Sequence, residues 1–489
     1  MKKQNYSELI SLKKKVGLLG SVSELLGWDQ EVNMPPKAAE IRAQEQGVVA
    51  ELHHQLFIDP KIGKLIKNAK KEKLTKKELA NLNEIEYDYK KAKKIPSDLV
   101  VAFAHTSAKA LEVWKEAREK NDFNSFTPWL NKTVKLNKKY AKIINKKRDP
   151  FEVVFEDYEK GINVKEVDVL FNKFKEEIVP LIEKITSIKK IKNNLSKKKI
   201  PVDKQKEISL YVAKLIGYDF SKGRLDESTH PFTSCYGRIT TRYNEGWISA
   251  ILSTIHEAGH GMYEHNLPIK HYGTPLGQSR SLSIHESQSR YYENHIGRSK
   301  EFWKKILNKV KKTYDINISL DEMYKLINIV EPSFIRVEAD ELTYSLHIIL
   351  RYELEKDLIN NRIKINEIPK IWNAKMKKYL GIVPKSDSVG CLQDVHWAMG
   401  GLGYFPTYTL GSMIAAQLNY KMKSEIPNYN KKIEKGDFKE INLWLNKNIH
   451  SLGCQYSTQE LIKKATGEKL NVKYYINYLT EKFTKLYNL

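Results

Sequence analysis

His256-Glu257-Ala258-Gly259-His260 constrains this chain more than any other stretch. Two histidines at i and i+4 can serve one ion only if the backbone between them is helical, because that spacing stacks side chains on one face about a turn apart. The residues just upstream, Trp247 to Ile255, are largely apolar and free of Pro and Gly, so the sequence predicts a buried helix carrying both imidazoles. Glu257, beside the first histidine, is placed to hold a water at the ion and take its proton. With 13 histidines in 489 residues, coincidence is an uncommon source of this pattern, and a zinc hydrolase is the expectation.

Catalytic zinc keeps three protein ligands and one open position. A longer pattern with Gly at 263 and His at 266 would supply the third ligand nearby, but the chain has Tyr263 and Asn266. A glutamate on a second helix is the alternative. Ser283 to Glu293 reads as helical, and Glu286 is the favoured ligand, although it also follows Ser283 at the spacing of a helix-start capping box. Glu264, one turn past His260, and Glu293, two turns past Glu286, compete for the role.

Elsewhere, apolar residues recur at spacings of three and four over 76–94, 164–190, 320–330 and 338–361, and most prolines punctuate the joints between such segments. One strand is predicted, Arg238 to Tyr243, rich in β-branched and aromatic residues. As an edge strand beside the metal helix, it would take an extended peptide by main-chain hydrogen bonds. No repeat, Gly/Ser linker, signal peptide or membrane-length apolar run is visible. Three dispersed cysteines make no disulfide framework, so the expected location is cytoplasmic. The net charge of +24 invites a polyanion reading, yet the excess is spread in short lysine clusters such as 189–199. It reads as a solvated basic surface, with no dedicated nucleic-acid partner and no membrane partner.

Three further stretches concentrate residues that a core would not favour. Thr229-His230-Pro231-Phe232 sets a histidine before proline, in extended backbone. Ile335 to Glu341 puts Arg336 and three acids in an otherwise apolar helix, where the guanidinium can simply neutralise Glu338, Asp340 or Glu341. Gly390 to Trp397, followed by Gly400 to Tyr408, forms a Gly-, His- and Tyr-rich loop suited to presenting donors to a cleft. Taken in order with the 256–260 motif and His285-Glu286-Ser287-Gln288, these stretches resemble the Taq-type (thermostable carboxypeptidase 1) metallocarboxypeptidase family. The resemblance runs from Leu26-Gly27-Trp28-Asp29, Met34-Pro35 and Arg42 to Ile449-His450, Ala465-Thr466-Gly467 and Leu470. It departs at one place. The family's Asp-x-Arg-x-Thr strand motif reads Tyr236-Gly237-Arg238-Ile239-Thr240, and the segment after Phe232 is shortened.

The resemblance implies a mainly α chain, zincin-like and neurolysin-like. One catalytic domain would span 1–489, with an N-terminal helical part over roughly 1–200 and a zinc-site part over roughly 201–489. A small sheet would lie beside the zinc helix, a deep groove would hold the substrate, and the protein would be a homodimer. It implies removal of single C-terminal residues from peptides with broad preference, using one Zn²⁺ per chain, with Co²⁺ as a substitute. His256, His260 and Glu286 would hold the ion, Glu257 would be the base, and His396 or Tyr408 would stabilise charge on the carbonyl oxygen. Arg336 would bind the terminal carboxylate, with Arg238 and Arg242 as reserves and His230 on the substrate side. Two rivals remain: a zinc oligopeptidase or endopeptidase of similar architecture, and a non-enzymatic basic protein associated with RNA or membrane.

Overall fold

A computed structural model of the chain describes residues 3–188, 195, 198–243 and 246–489. Most of the basic run 189–199 therefore lies outside the described residues. The protein is mostly helical with one small sheet. Helices α1 (Gln4–Val32), α2 (Ala39–Phe57), α3 (Pro60–Ala69) and α4 (Lys76–Lys94) come first. Tyr6 and Leu9 of α1 pack with Ile62, Leu65 and Ile66 of α3 and with Leu82, Ile85 and Tyr89 of α4, forming a small core of their own. α2 leans on α1 and buries none of its residues.

A second, far larger core runs from Leu99 to Leu486. Helices α5 (Ser97–Lys120), α6 (Phe123–Asn145), α7 (Pro150–Phe155), α8 (Val164–Thr186) and α9 (Val202–Ile216) lead to the sheet. Beyond it come α10 (Trp247–Asn266), α11 (Leu282–Arg290), α12 (Lys300–Tyr314), α13 (Leu320–Leu326), α14 (Glu341–Ile359), α15 (Ile368–Leu380) and α16 (Pro406–Glu425). Four shorter helices close the chain: α17 (Tyr429–Lys435), α18 (Lys439–Asn448), α19 (Thr458–Thr466) and α20 (Lys473–Tyr487). Cys235, Cys391 and Cys454 are buried and unpaired, and no described helix is long and apolar enough to cross a membrane.

Among the described residues the sheet has three strands, β1 (Leu225–Glu227), β2 (Thr233–Ser234) and β3 (Arg238–Thr241), in the order β1-β3-β2. β3 is therefore the middle strand and not an edge. It pairs parallel with β1 (Leu225 opposite Ile239) and antiparallel with β2 (Thr233 opposite Ile239). The edge nearer α10 is β2. The turn from β2 to β3 holds three successive residues at positive φ, Cys235 (46°), Tyr236 (62°) and Gly237 (81°). At 237 only glycine fits, since a Cβ there would lie 2.6 Å from the Gly261 carbonyl oxygen of α10. Tyr236, at the family's Asp position, stacks on Tyr272 at 4.8 Å.

Two predicted helices end differently in the structure. Residues 335–340 form no α-helix: Arg336–Glu338 make a single 3-10 turn, and α14 begins at Glu341. Asp340 sets that start, its carboxylate accepting from the amides of Leu342 (3.0 Å) and Thr343 (3.1 Å). α11 is capped by Ser281, whose hydroxyl accepts from the Ile284 amide, so Ser283 and Glu286 make no capping box. Pro128 and Pro180 lie inside α6 and α8 instead of at joints.

Three helices meet at unusually close range. A Cβ on Gly259 of α10 would fall 2.7 Å from the Gln288 carbonyl oxygen and 2.8 Å from Ser289 Cα of α11. One on Gly411 of α16 would fall 2.6 Å from Glu286 Cγ. Gly259 allows backbone to approach backbone and Gly411 leaves room for the Glu286 side chain, which offsets their low helix propensity. Gly259→Ala is expected to lower stability by about 1–3 kcal/mol, since main-chain atoms cannot step aside. Gly47→Ala, on the open face of α2 with no atom within 4 Å of the new Cβ, is expected to raise it by about 0.5–1 kcal/mol. Denaturation midpoints of the two variants should move in opposite directions.

Candidate metal centre and substrate site

α10 buries Ile251, Ile255, Ala258 and Met262 on its core side and turns His256 and His260 towards α11. Glu286 of α11 meets them. Its Oε2 lies 3.2 Å from His260 Nε2 and 3.7 Å from His256 Nε2. One donor atom from each of the three residues lies within 4.8 Å of the other two. Two imidazole nitrogens and one carboxylate oxygen at this spacing fit a divalent cation, and they suit zinc well.

Each histidine is oriented from behind. His256 Nδ1 lies 2.8 Å from Glu293 Oε2, and a carboxylate can only accept, so Nδ1 carries the proton and Nε2 faces the site with a lone pair. His260 Nδ1 lies 2.5 Å from His285 Nδ1, and His285 Nε2 lies 2.7 Å from Glu264 Oε1. Burial pushes the His260 imidazole down to about 3, keeping it in the neutral form that ligation requires. The two glutamates that competed with Glu286 thus stand behind the histidines.

Arg290 joins the carboxylates. It donates from Nε to Glu286 Oε1 (2.6 Å) and from Nη1 to Glu293 Oε2 (3.1 Å). Burial alone would raise both carboxyls, but Arg290 and His256 outweigh it and hold both well below the usual carboxylate range. Glu257 differs: burial pushes it up, against the opposing pull of His256 and Thr233. The Thr233 hydroxyl on β2 donates to Glu257 Oε2 at 2.6 Å, so the sheet edge fixes one oxygen of this carboxylate.

A second cluster adjoins the first. Arg336 is buried and donates from Nε to Asp394 Oδ1 at 2.9 Å, so its partner is Asp394 and not Glu338, Asp340 or Glu341. Arg351 donates from Nε to the other oxygen of Asp394 at 2.6 Å. Two guanidinium groups share one carboxylate, which leaves a net positive charge in the wall. Tyr344 links the clusters: Arg290 lies 4.2 Å over its ring, and Arg336 Nη1 donates to its hydroxyl at 3.2 Å. Tyr408 lies under the Arg336 guanidinium at 5.3 Å, with its hydroxyl 3.4 Å from His396 Nε2. Burial pushes the Tyr408 phenol far up and His396 down to about 4, so the first keeps its proton and the second is neutral.

Arg336, His396 and Tyr408 therefore gather beside the metal donors, whereas three other candidates do not join them. Arg238 lies 4.5 Å over the Trp28 ring, Arg242 donates to the Thr229 carbonyl at 3.2 Å, and His230 is exposed. Sequence reasoning missed Arg290, Tyr344, Asp394, Thr233 and His285. Arg290 had a signal, since it stands at i+4 from Glu286 and i−3 from Glu293 on a predicted helix. Thr233 had none, because only the sheet register brings it to Glu257.

Residues 8–483 match the family described as carboxypeptidase Taq (M32) metallopeptidase. The chain is similar to carboxypeptidase 1 of Bacillus subtilis, with 39% identity over 99% of this chain and 98% of that protein. It is also similar to thermostable carboxypeptidase 1 of Pyrococcus furiosus, at 37% identity over 98% of each. The crystal structure of the M32 carboxypeptidase from Deinococcus radiodurans superimposes with a TM-score of 0.96, at 33% identity, over 99% of this chain and all of that one.

The donor geometry predicts the outcome of ligand substitution. Glu286→Ala should come through purification poor in metal, while Glu264→Ala and Glu293→Ala, supplied with excess ion, should fill their sites. Elemental analysis checks this. A metal-poor Glu293 or Glu264 variant beside a replete Glu286 variant would move the third ligand.

Proposed function

The chain belongs to the carboxypeptidase Taq (M32) metallopeptidase family and is a metallocarboxypeptidase, and on that premise we propose how its residues divide the work. It removes single residues, with broad side-chain preference, from the free C-terminus of peptides. The observation that carries this reading is the junction at Tyr344 between the donor set of His256, His260 and Glu286 and the Arg336–Asp394–Arg351 group. A reacting carbonyl at the first cluster would leave the chain's terminal carboxylate beside the second.

His256, His260 and Glu286 hold the ion, zinc with cobalt as a substitute, which when bound supplies Lewis acidity to the scissile carbonyl and acidifies water. Glu257 accepts the proton of the attacking water. As the water oxygen adds to the carbonyl carbon and the C–N bond breaks, it delivers that proton to the leaving nitrogen. Its raised proton affinity suits a group that must take and then return a proton. The Tyr408 hydroxyl, backed by His396, donates to the carbonyl oxygen as negative charge grows there. Arg336 receives the terminal carboxylate: the second guanidinium on Asp394 leaves the cluster one positive charge in excess, which the substrate anion offsets. Arg238 and Arg242 are the reserve cations, and His230 belongs with the more distant part of the peptide. The working unit is a homodimer in the cytoplasm, organised as one catalytic domain over 1–489.

Glu257→Gln should keep the ion, since all three ligands remain, but lower kcat about 10²–10⁴-fold. Near-normal turnover would remove Glu257 from the mechanism. Arg336→Ala should lose about 2–5 kcal/mol in kcat/KM on free-acid peptides and little on C-terminally amidated ones, which wild type already cleaves poorly. Equal losses on both substrates would send the carboxylate role to Arg238 or Arg242. Efficient wild-type cleavage of amidated peptides would favour the oligopeptidase reading instead.

A further inference from the structure

The two metal-binding histidines are not supported alike. His256 leans directly on Glu293, whose charge is shared by Arg290 and by Arg298, 3.4 Å away. His260 leans on a second imidazole, and only beyond it on a carboxylate. Among the described residues no lysine or arginine makes an ion pair with Glu264. Its charged neighbour on α1 is Glu24, whose carboxyl is raised by burial and by Glu264 itself. The charge of Glu264 is therefore directed at His285 without dilution by a cation.

We infer that Glu264 and His285 are positioning residues that fix His260 in the one tautomer able to bind metal. The inference stands on the chain of contacts from Glu264 to His260. A contact of 2.5 Å between two ring nitrogens has room for one hydrogen. Glu264 can only accept, so His285 Nε2 carries its proton. Ligation through His260 Nε2 needs that ring's hydrogen on Nδ1, so His260 Nδ1 carries the shared hydrogen and His285 Nδ1 accepts it. His260 Nε2 is left with its lone pair towards Glu286 Oε2, 3.2 Å away. In the opposite tautomer an N–H would occupy the direction needed by the ion. A carboxylate two residues removed thus sets the direction and basicity of a ligand, as a carboxylate in direct contact does for His256. Neither Glu264 nor His285 supplies a donor to the three-residue cluster.

This inference rests on the ligand set proposed above, so the test includes a control for that set. Zn²⁺ dissociation constants would be measured on the full-length apoprotein by chelator competition, for wild type, Glu264→Ala, Glu264→Gln, His285→Ala and Glu286→Ala. Absorption spectra of the Co²⁺-loaded proteins would report ligand-field geometry. Glu264→Ala and His285→Ala should each bind Zn²⁺ about 10–100-fold more weakly, with a shifted Co²⁺ spectrum. Glu264→Gln, whose amide oxygen still accepts from Nε2, should recover most of the affinity and the wild-type spectrum. Wild-type affinity and spectrum in Glu264→Ala would overturn the inference. So would equal weakening in Ala and Gln accompanied by a lower apoprotein melting temperature, the signature of a merely structural residue. Should Glu264→Ala fail to fold, a Gln variant that binds as weakly as Glu286→Ala is again the overturning result. If Glu286→Ala loses the ion while Glu264→Ala does not, only the relay fails; if Glu286→Ala binds like wild type, the ligand set fails and the relay with it.

Discussion

One guanidinium, Arg290, stands between two buried carboxylates, Glu286 and Glu293, and the shape of the whole centre depends on it. Without that cation Glu286 would lose the one guanidinium that pairs with it, at a cost of about 3–5 kcal/mol for a buried charge left unpaired, and Glu293 would keep only Arg298 and His256. With it, Glu286 stays ionised and aimed at the histidines, and Glu293 stays ionised behind His256. The same guanidinium rests on Tyr344, whose hydroxyl takes a hydrogen bond from Arg336. A single side chain therefore ties the metal donors to the positively charged wall where a terminal carboxylate would lie. On the roles proposed for these residues, this sequence of contacts sets the spacing between catalysis and chain-end recognition.

Much of this was legible in the sequence, for reasons that differ by element. α4 follows its periodicity from Lys76 to Lys94, closed by a capping box at Thr75 and Glu78. α10 was legible because two functional residues and an apolar face all demand the same 3.6-residue repeat. The sheet was only half legible: β3 is β-branched, but its partners are two and three residues long, too short to leave a pattern, so its central position could not be read. The 335–341 segment misled because its composition looks helical, while Asp340 caps a helix that starts later. Asp394 sits within a stretch that was noticed, yet its role depends on Arg336 and Arg351, 58 and 43 residues away. Long-range pairing of that kind has no local signature.

The carboxylates illustrate the same division. Local spacing narrowed the third ligand to Glu286, Glu264 and Glu293 but could not separate them, since each can be written onto a helix facing the histidines. Among the described residues, tertiary structure gives Glu293 an imidazole and two arginines, and gives the Glu264 carboxylate an imidazole alone. Three carboxylates that look interchangeable in sequence thus occupy three different settings, and only Glu286 joins the two histidines in the donor cluster found among the described residues.

The glycine contacts among α10, α11 and α16 also bear on motion. Backbones that touch leave no soft side-chain layer between them, so the donor-bearing helices resist sliding or hinging past one another. By contrast α2, which buries no residue and rests chiefly on α1, is a loosely anchored long helix. Tight packing of the donor-bearing helices and loose packing of α2 are thus housed in separate parts of the chain.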